Sequence, residues 1–445
     1  MGTPKIYRKF QEVTMQDTSC LKEFTKYTAL NVLGMIGLSC YILADTFFIA
    51  KGLGTSGLAA LNLAIPIYSF IHGSGLMFGI GGATKFSISR KSGLSDQIFT
   101  NTLFFAGILA VLFFLAGLFL STQITVLLGA DGEVAEMTQT YLKMILLFAP
   151  AFMLGDILVC FVRNDGNPKL SMLAMLGGSM ANILLDYVFI FPLGMGIFGA
   201  VLATGLAPLI SIAIMSCHWM KKNKGFHLAK TAIQGRMALL ILSLGFPSLI
   251  TEVSSGIVII AFNIIILGLK GNVGVAAYGV IANLSLVVIS IFTGIAQGIQ
   301  PLISSAYGCG DSARSRVMLR YGLTTAAAVS LTLYAVICYG AAPITAVFNS
   351  EQNHQLQVIA EYGLRLYFTG ILAAGVNIIL SIFFTSTEQA VPAHIISLLR
   401  GLVLIIPMAF VLSSLWGMTG VWLAFPVTEL VSALLGVGIH RHSCS

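Results

Sequence analysis

The chain has 445 residues, of which 57% are hydrophobic and 9% charged, with a mean hydropathy of +0.93. A soluble globular domain carries roughly 25% charged residues, so this composition excludes water as the main solvent. The net charge of +7 does not mark a nucleic-acid binder, because the basic residues collect on one side of the apolar runs, 20 of the 24 on the side of the N-terminus.

The stretch from Met1 to Lys26 is polar and lacks a short apolar core followed by small residues, so the first span is expected to direct insertion itself. Twelve apolar runs follow, at about 27–50, 58–83, 98–120, 139–162, 168–191, 197–219, 238–268, 275–303, 318–341, 358–384, 391–414 and 417–439. Each can cross a hydrocarbon core of about 30 Å as a helix. Their continuous apolar character, without dyad alternation, predicts helices rather than a barrel.

Orientation follows from the basic residues. With the N-terminus inside, the cytoplasmic segments hold Lys5, Arg8, Lys9, Lys22, Lys26, Lys85, Arg90, Lys91, Arg163, Lys169, Lys221, Lys222, Lys224, Lys230, Arg236, Arg314, Arg316, Arg320, Arg400 and Arg441. Only Lys51, Lys143, Lys270 and Arg365 remain outside. This bias predicts cytoplasmic termini. The seven cysteines form no CxxC pair and no metal-ligand spacing with histidine, and they read as small hydrophobes.

The halves repeat. At an offset of 217, Gly57, Ala59, Ala60, Gly81, Ser87 and Gly93 meet identical residues. At 221, Tyr141 meets Tyr362 and Gly196 meets Gly417. Six spans per half is an even number, so the repeats are parallel. The expected fold is an all-α integral membrane protein with two six-helix lobes around a central cleft. Its parts are a cytoplasmic segment 1–26, an N-lobe 27–219, a linker 220–237, a C-lobe 238–440 and a tail 441–445.

Carboxylates inside spans are the functional candidates, because each costs at least about 2.5–3.5 kcal/mol at mid-bilayer. They are Asp45, Asp156, Asp186, Glu252 and Glu429. No Lys or Arg is expected at matching depth. Asn182 precedes Asp186 by four residues, on the same helix face. An amide oxygen and a carboxylate suit a hard cation or a proton, and Asp45 supplies a second acid. Asp156, near the loop RNDGNP, reads equally as a hydrated side chain or a functional acid, and Glu429 stays equally open. His72, within HGSGLMFGIGG, reads as hydrogen-bonded filler, and its glycines as packing surface rather than a nucleotide loop.

The segments ADTFFIA at Asp45, NILLDYVFIF from Asn182, RNDGNP from Arg163, AQGIQPL from Ala296 and GLRLYF from Gly363 resemble the multidrug and toxic compound extrusion (MATE) family. The resemblance spans nearly all twelve helices and is nearest the DinF-like and MepA-like bacterial branch. It implies a secondary antiporter, not an enzyme, that exports lipophilic, often cationic, compounds in exchange for H+ or Na+. It implies a coupling-ion cluster of Asp45, Asn182, Asp186 and Thr204, and it aligns Glu252 with an acid used by some members. The chain departs from the family in lacking a proline early in helix 1 and in carrying Ile42 where an Asn often precedes the Asp. Tyr41, Met77, Met153, Phe262, Asn263 and Gln297 are assigned with Glu252 to the substrate cleft. No cofactor is expected beyond the coupling ion, and no metal beyond Na+ at the four coupling residues. Partners are small organic molecules and membrane lipid, not nucleic acid. The chain is expected to be a monomer in a bacterial plasma membrane. A flippase for lipid-linked precursors is the alternative, and it would need bases in the cleft.

Overall fold

The computed structural model describes residues 5–221, 224–349 and 352–444, with side chains from residue 19 to residue 442 of these. Lys222 and the side chains of Lys5, Arg8 and Lys9, counted above among the cytoplasmic bases, lie outside the described part. Fourteen α-helices follow one another in it: α1 Lys5–Ile88, α2 Ser95–Phe119, α3 Ser121–Leu127, α4 Gly132–Leu147, α5 Ala149–Asn164, α6 Pro168–Ile190, α7 Gly196–Ser216, α8 Gly235–Gly308, α9 Ser312–Phe348, α10 His354–Tyr367, α11 Ile371–Ser386, α12 Ala390–Leu398, α13 Ile405–Trp416 and α14 Met418–Cys444.

Two of these are hairpins. In α1 the helix breaks at Gly54 (φ 66°, ψ −154°), and in α8 at Gly271 (φ 62°, ψ −156°). That backbone region is essentially open only to glycine. The arms turn back on each other: Tyr41 and Tyr68 share a 2.7 Å hydroxyl hydrogen bond, and Phe262 stacks on Tyr278 at 5.4 Å. Straight helices would hold those pairs roughly 40 Å and 24 Å apart. Spans 4, 10 and 11 are each made of two pieces. Span 4 joins α4 and α5 with a bend of 49° before Pro150, span 10 joins α10 and α11 through a 3₁₀ turn, and span 11 joins α12 and α13 through a π turn at Leu399–Val403. Twelve crossings result among the described residues.

The repeat read from the sequence reappears as backbone geometry. Gly54 is matched to Gly271, and Gly93 (φ 72°) to Gly310 (φ 74°), by the first of the two offsets. The second offset matches Gly196 (φ 61°) to Gly417 (φ 57°). The N-lobe comprises α1–α7 and the C-lobe α8–α14. The segment between them lies on the N-lobe. Phe226 is fully buried against Phe86, Phe99 and Phe161. The Gly225 N–H donates to Asp165, which also meets Arg90 and His218 at 2.9 and 3.0 Å.

The lobes touch along the two hairpins, and glycine sets how closely. A methyl at Gly245 would lie 1.8 Å from the Met77 carbonyl oxygen, one at Gly81 2.0 Å from that of Ile241, and one at Gly308 2.2 Å from that of Ile88. Polar ties reinforce the same end of the molecule. Arg163 donates to Asn31 and Gln297, Asn164 and Thr84 bind Gln300, Lys85 pairs with Glu388 at 2.6 Å, and Arg314 pairs with Glu23. Toward the Gly54 and Gly271 tips the contact slackens. Residues 294–304 are all buried, whereas 282–287 are all partly exposed. The central cleft is thus shut at the end that carries the chain termini and opens toward the hairpin tips.

Alanine at Gly54 or Gly271 should destabilise the fold by about 1–3 kcal/mol each. The check is a lowered Tm for both variants in detergent, beside an unchanged Gly107→Ala control, whose methyl would meet no atom within 4 Å.

Candidate functional site: two buried acids in the N-lobe

Asp45 on the first arm of α1 and Asp186 on α6 face each other within hydrogen-bonding reach. Asp45 is 7% exposed and Asp186 fully buried. Each carries one buried Oδ1 with no hydrogen-bond donor. Two carboxylates in contact cannot both stay ionised cheaply in a low dielectric, so the pair needs a proton or a cation between its members. Asn182 lies one turn before Asp186, and Thr204 comes from α7. With its amide turned to satisfy both ends, Asn182 donates to Asp186 Oδ2 at 3.0 Å and accepts from the Thr204 N–H at 3.3 Å. In the opposite orientation the amide donates to Thr204 Oγ1 at 3.4 Å. The structure therefore gathers Asp45, Asn182, Asp186 and Thr204 into one buried cluster. Its orphaned hard oxygens fit a proton or a small hard cation.

Tyr141 of α4 joins the cluster through its hydroxyl, within reach of Thr204. Sequence reasoning used this residue only to align the repeats. Its position opposite Thr204 depends on the bend between α4 and α5, which left no period in the sequence.

The remaining assigned residues are spread along the lobe interface and into both lobes. Tyr41 is buried and bonded to Tyr68. Met77 packs where span 2 meets Gly245, and Met153 is buried against Gly75. Glu252 is half-buried, its Cβ 3.0 Å from the position a Gly73 methyl would take. Gln297 accepts a 2.7 Å hydrogen bond from Arg163. Phe262 is buried in the C-lobe, and Asn263 beside it is half-buried.

Two expectations are overturned. Glu429 does have a base at its depth: Arg400 holds it with contacts of 2.8, 3.1 and 3.3 Å, and Asn377 donates to it at 2.6 Å. Arg400 had been counted among the cytoplasmic bases, yet it sits well inside span 11 with its side chain 11% exposed. The rule that singled out intramembrane carboxylates applies equally to this arginine. For Asp156, which the sequence left open, the structure supplies a partner: His72 Nδ1 lies 3.0 Å from its Oδ2.

Two hairpin-led lobes of six spans, tied at one end, with an acid pair facing each other in the N-lobe, have the architecture of a membrane transport protein. The chain belongs to the MatE family, whose profile matches residues 32–188 and 247–411. The multidrug export protein MepA of Staphylococcus saprophyticus is 27% identical over 426 residues, spanning 94% of this chain and 93% of that protein. MepA of Staphylococcus aureus strain MRSA252 is 28% identical over 403 residues, spanning 88% and 87%. Among solved structures, a MATE protein in complex with MaL6 superposes with a TM-score of 0.89 at 24% identity, over 95% of this chain and 96% of that one. A MOP superfamily transporter from Pyrococcus furiosus superposes with a TM-score of 0.87 at 24% identity, over 95% of each chain. These last two likenesses establish the fold.

Arg400→Met leaves a buried carboxylate unpaired and should cost about 3–5 kcal/mol. Adding Glu429→Gln should recover most of that loss. Thermal unfolding of the single and double variants in detergent checks both statements.

Proposed function

We propose that the chain is a cation-coupled antiporter that exports lipophilic, often cationic, compounds in exchange for H+ or Na+. It works as a monomer in a bacterial plasma membrane with both termini in the cytoplasm. The observation that carries this reading is the contact between Asp45 and Asp186, deep in the N-lobe and without a basic neighbour among the described residues to satisfy it. Structural ion pairs look different, as Arg400 and Glu429 illustrate in the other lobe. The names of the Staphylococcus relatives, multidrug export proteins, support the export of diverse compounds.

Charge arithmetic supplies the coupling. Moving one monovalent cation outward against an inside-negative potential of about 100 mV costs roughly 2.3 kcal/mol. Admitting one proton or sodium ion cancels that electrical cost, and the chemical gradients then set the direction. Asp45, Asp186, Asn182, Thr204 and Tyr141 hold the incoming ion. Neutralising the two acids weakens the field that retains a cationic substrate and favours its release. The half-buried Glu252 and the flexible or aromatic side chains of Met77, Met153, Tyr41 and Phe262, with Asn263 and Gln297, serve the substrate path. Alternating access requires the ties at the closed end, among them Lys85–Glu388 and Arg163–Gln297, to part while the hairpin tips approach.

A lipid-linked precursor flippase would need free bases in the cleft to hold phosphates. Arg400 is occupied by Glu429, and Arg163 by Asn31 and Gln297.

In everted vesicles loaded with a fluorescent organic cation, an imposed proton or sodium gradient should drive efflux. Asp186→Asn and Asp45→Asn should each reduce it by about tenfold or more, the scale of about 1.4 kcal/mol or greater. Efflux by the unmodified protein that ignores both gradients would remove the antiport reading.

A further inference from the structure

The glycine-rich stretch HGSG, residues 72–75, is not absorbed by the coupling cluster. His72 points at Asp156 of α5, 3.0 Å away, and the Tyr68 ring lies parallel to the imidazole at 5.9 Å. From the opposite lobe, Glu252 of α8 stands within electrostatic range of both His72 and Asp156. The two glycines make this possible. A methyl at Gly75 would fall 2.4 Å from Asp156 Oδ2, and one at Gly73 would fall 3.0 Å from the Glu252 Cβ. The His72 and Asp156 side chains are 14% and 17% exposed, so the group is not sealed in the protein interior.

We propose that Asp156 and Glu252, with the Tyr68 ring, form a site for a lipophilic organic cation, in which His72 is a tethered competitor for the same negative charge. The proposal rests on the export reading above and deepens it. When the imidazole is neutral, two carboxylates at the lobe interface are uncompensated and attract an external cation. When it is protonated, the imidazolium occupies Asp156 and the field left for a ligand is roughly halved. Acidification on the side to which the cleft opens therefore expels the bound cation, and protonation away from Asp45 and Asp186 contributes to release.

The titratable and charged groups facing His72 are few. Tyr68 is on its own helix and bonds Tyr41; Asp156 is on α5, with Cys160 one turn on; Glu252 is on α8. Tyr141 of α4 lies behind Tyr68. Arg163, two turns beyond Asp156, is turned to Asn31 and Gln297. His72 is the one base among these that faces Asp156 directly, and it carries the competing proton.

The test is equilibrium binding of tetraphenylphosphonium to the full chain in lipid nanodiscs, without any gradient, from about pH 10 to about pH 5, a window wide enough for an imidazole in contact with a carboxylate. The unmodified protein should lose affinity on acidification, by up to about tenfold per pH unit for one competing proton. His72→Gln, which keeps a hydrogen-bond donor for Asp156, should bind as well at high pH and lose most of that dependence. Asp156→Asn should bind weakly at every pH, with Glu252→Gln intermediate. The effect of His72→Gln should persist in an Asp45→Asn, Asp186→Asn background, which separates this site from the coupling cluster. A pH dependence that survives His72→Gln unchanged, or wild-type affinity in Asp156→Asn, overturns the proposal and leaves the export reading standing. No binding of the probe by the unmodified protein at any pH overturns both.

Discussion

A charged side chain at bilayer depth costs at least about 2.5–3.5 kcal/mol, and the two lobes meet that cost in opposite ways. In the C-lobe, Arg400 and Asn377 surround Glu429 with directed donors. The charge is cancelled locally and nothing is left to trade. In the N-lobe, Asp45 and Asp186 face each other with a buried oxygen apiece unsatisfied. Such an arrangement is stable only with an added positive charge. The proposed exchange needs that dependence, because a site complete in itself has no reason to bind and release an ion.

Duplication makes the contrast sharp. The repeat mate of Asp45, at the first offset, is Phe262, which stacks on Tyr278 in the C-lobe core. The mate of Asp156, at the second offset, is Asn377, which serves the Arg400–Glu429 pair. One scaffold has thus been built twice, with the same glycine hinges at Gly54 and Gly271, and the N-lobe copy is the one that sets two carboxylates, Asp45 and Asp186, against each other. Between the copies, glycine-backed faces let the hairpins approach to backbone contact at one end. Small residues at a helix interface lower the steric resistance to such close approach. The hydrogen bonds that hold this end shut are mostly between neutral or solvent-accessible partners, as the proposed alternation of access requires.

The linker adds a constraint of its own. Phe226 and Gly225 are fastened to the N-lobe through the aromatic cluster and Asp165, so the segment that follows the sixth span is docked rather than slack. Docking of the linker shortens the free tether between the lobes.

Span number, the duplication and the suspicion attached to Asp45 and Asp186 follow from the sequence alone. Hydrocarbon length, the even count of spans and the cost of buried charge act on the chain residue by residue. They leave their mark as local hydropathy and as repeated offsets. What the tertiary structure decided is who stands beside whom. The pairing of Arg400 with Glu429, of His72 with Asp156, and the arrival of Tyr141 at Thr204 each join helices far apart in the chain. Electrostatic compensation acts through space over a few ångströms, so identical carboxylates read as equals in one dimension and acquire different fates only once the helices are packed.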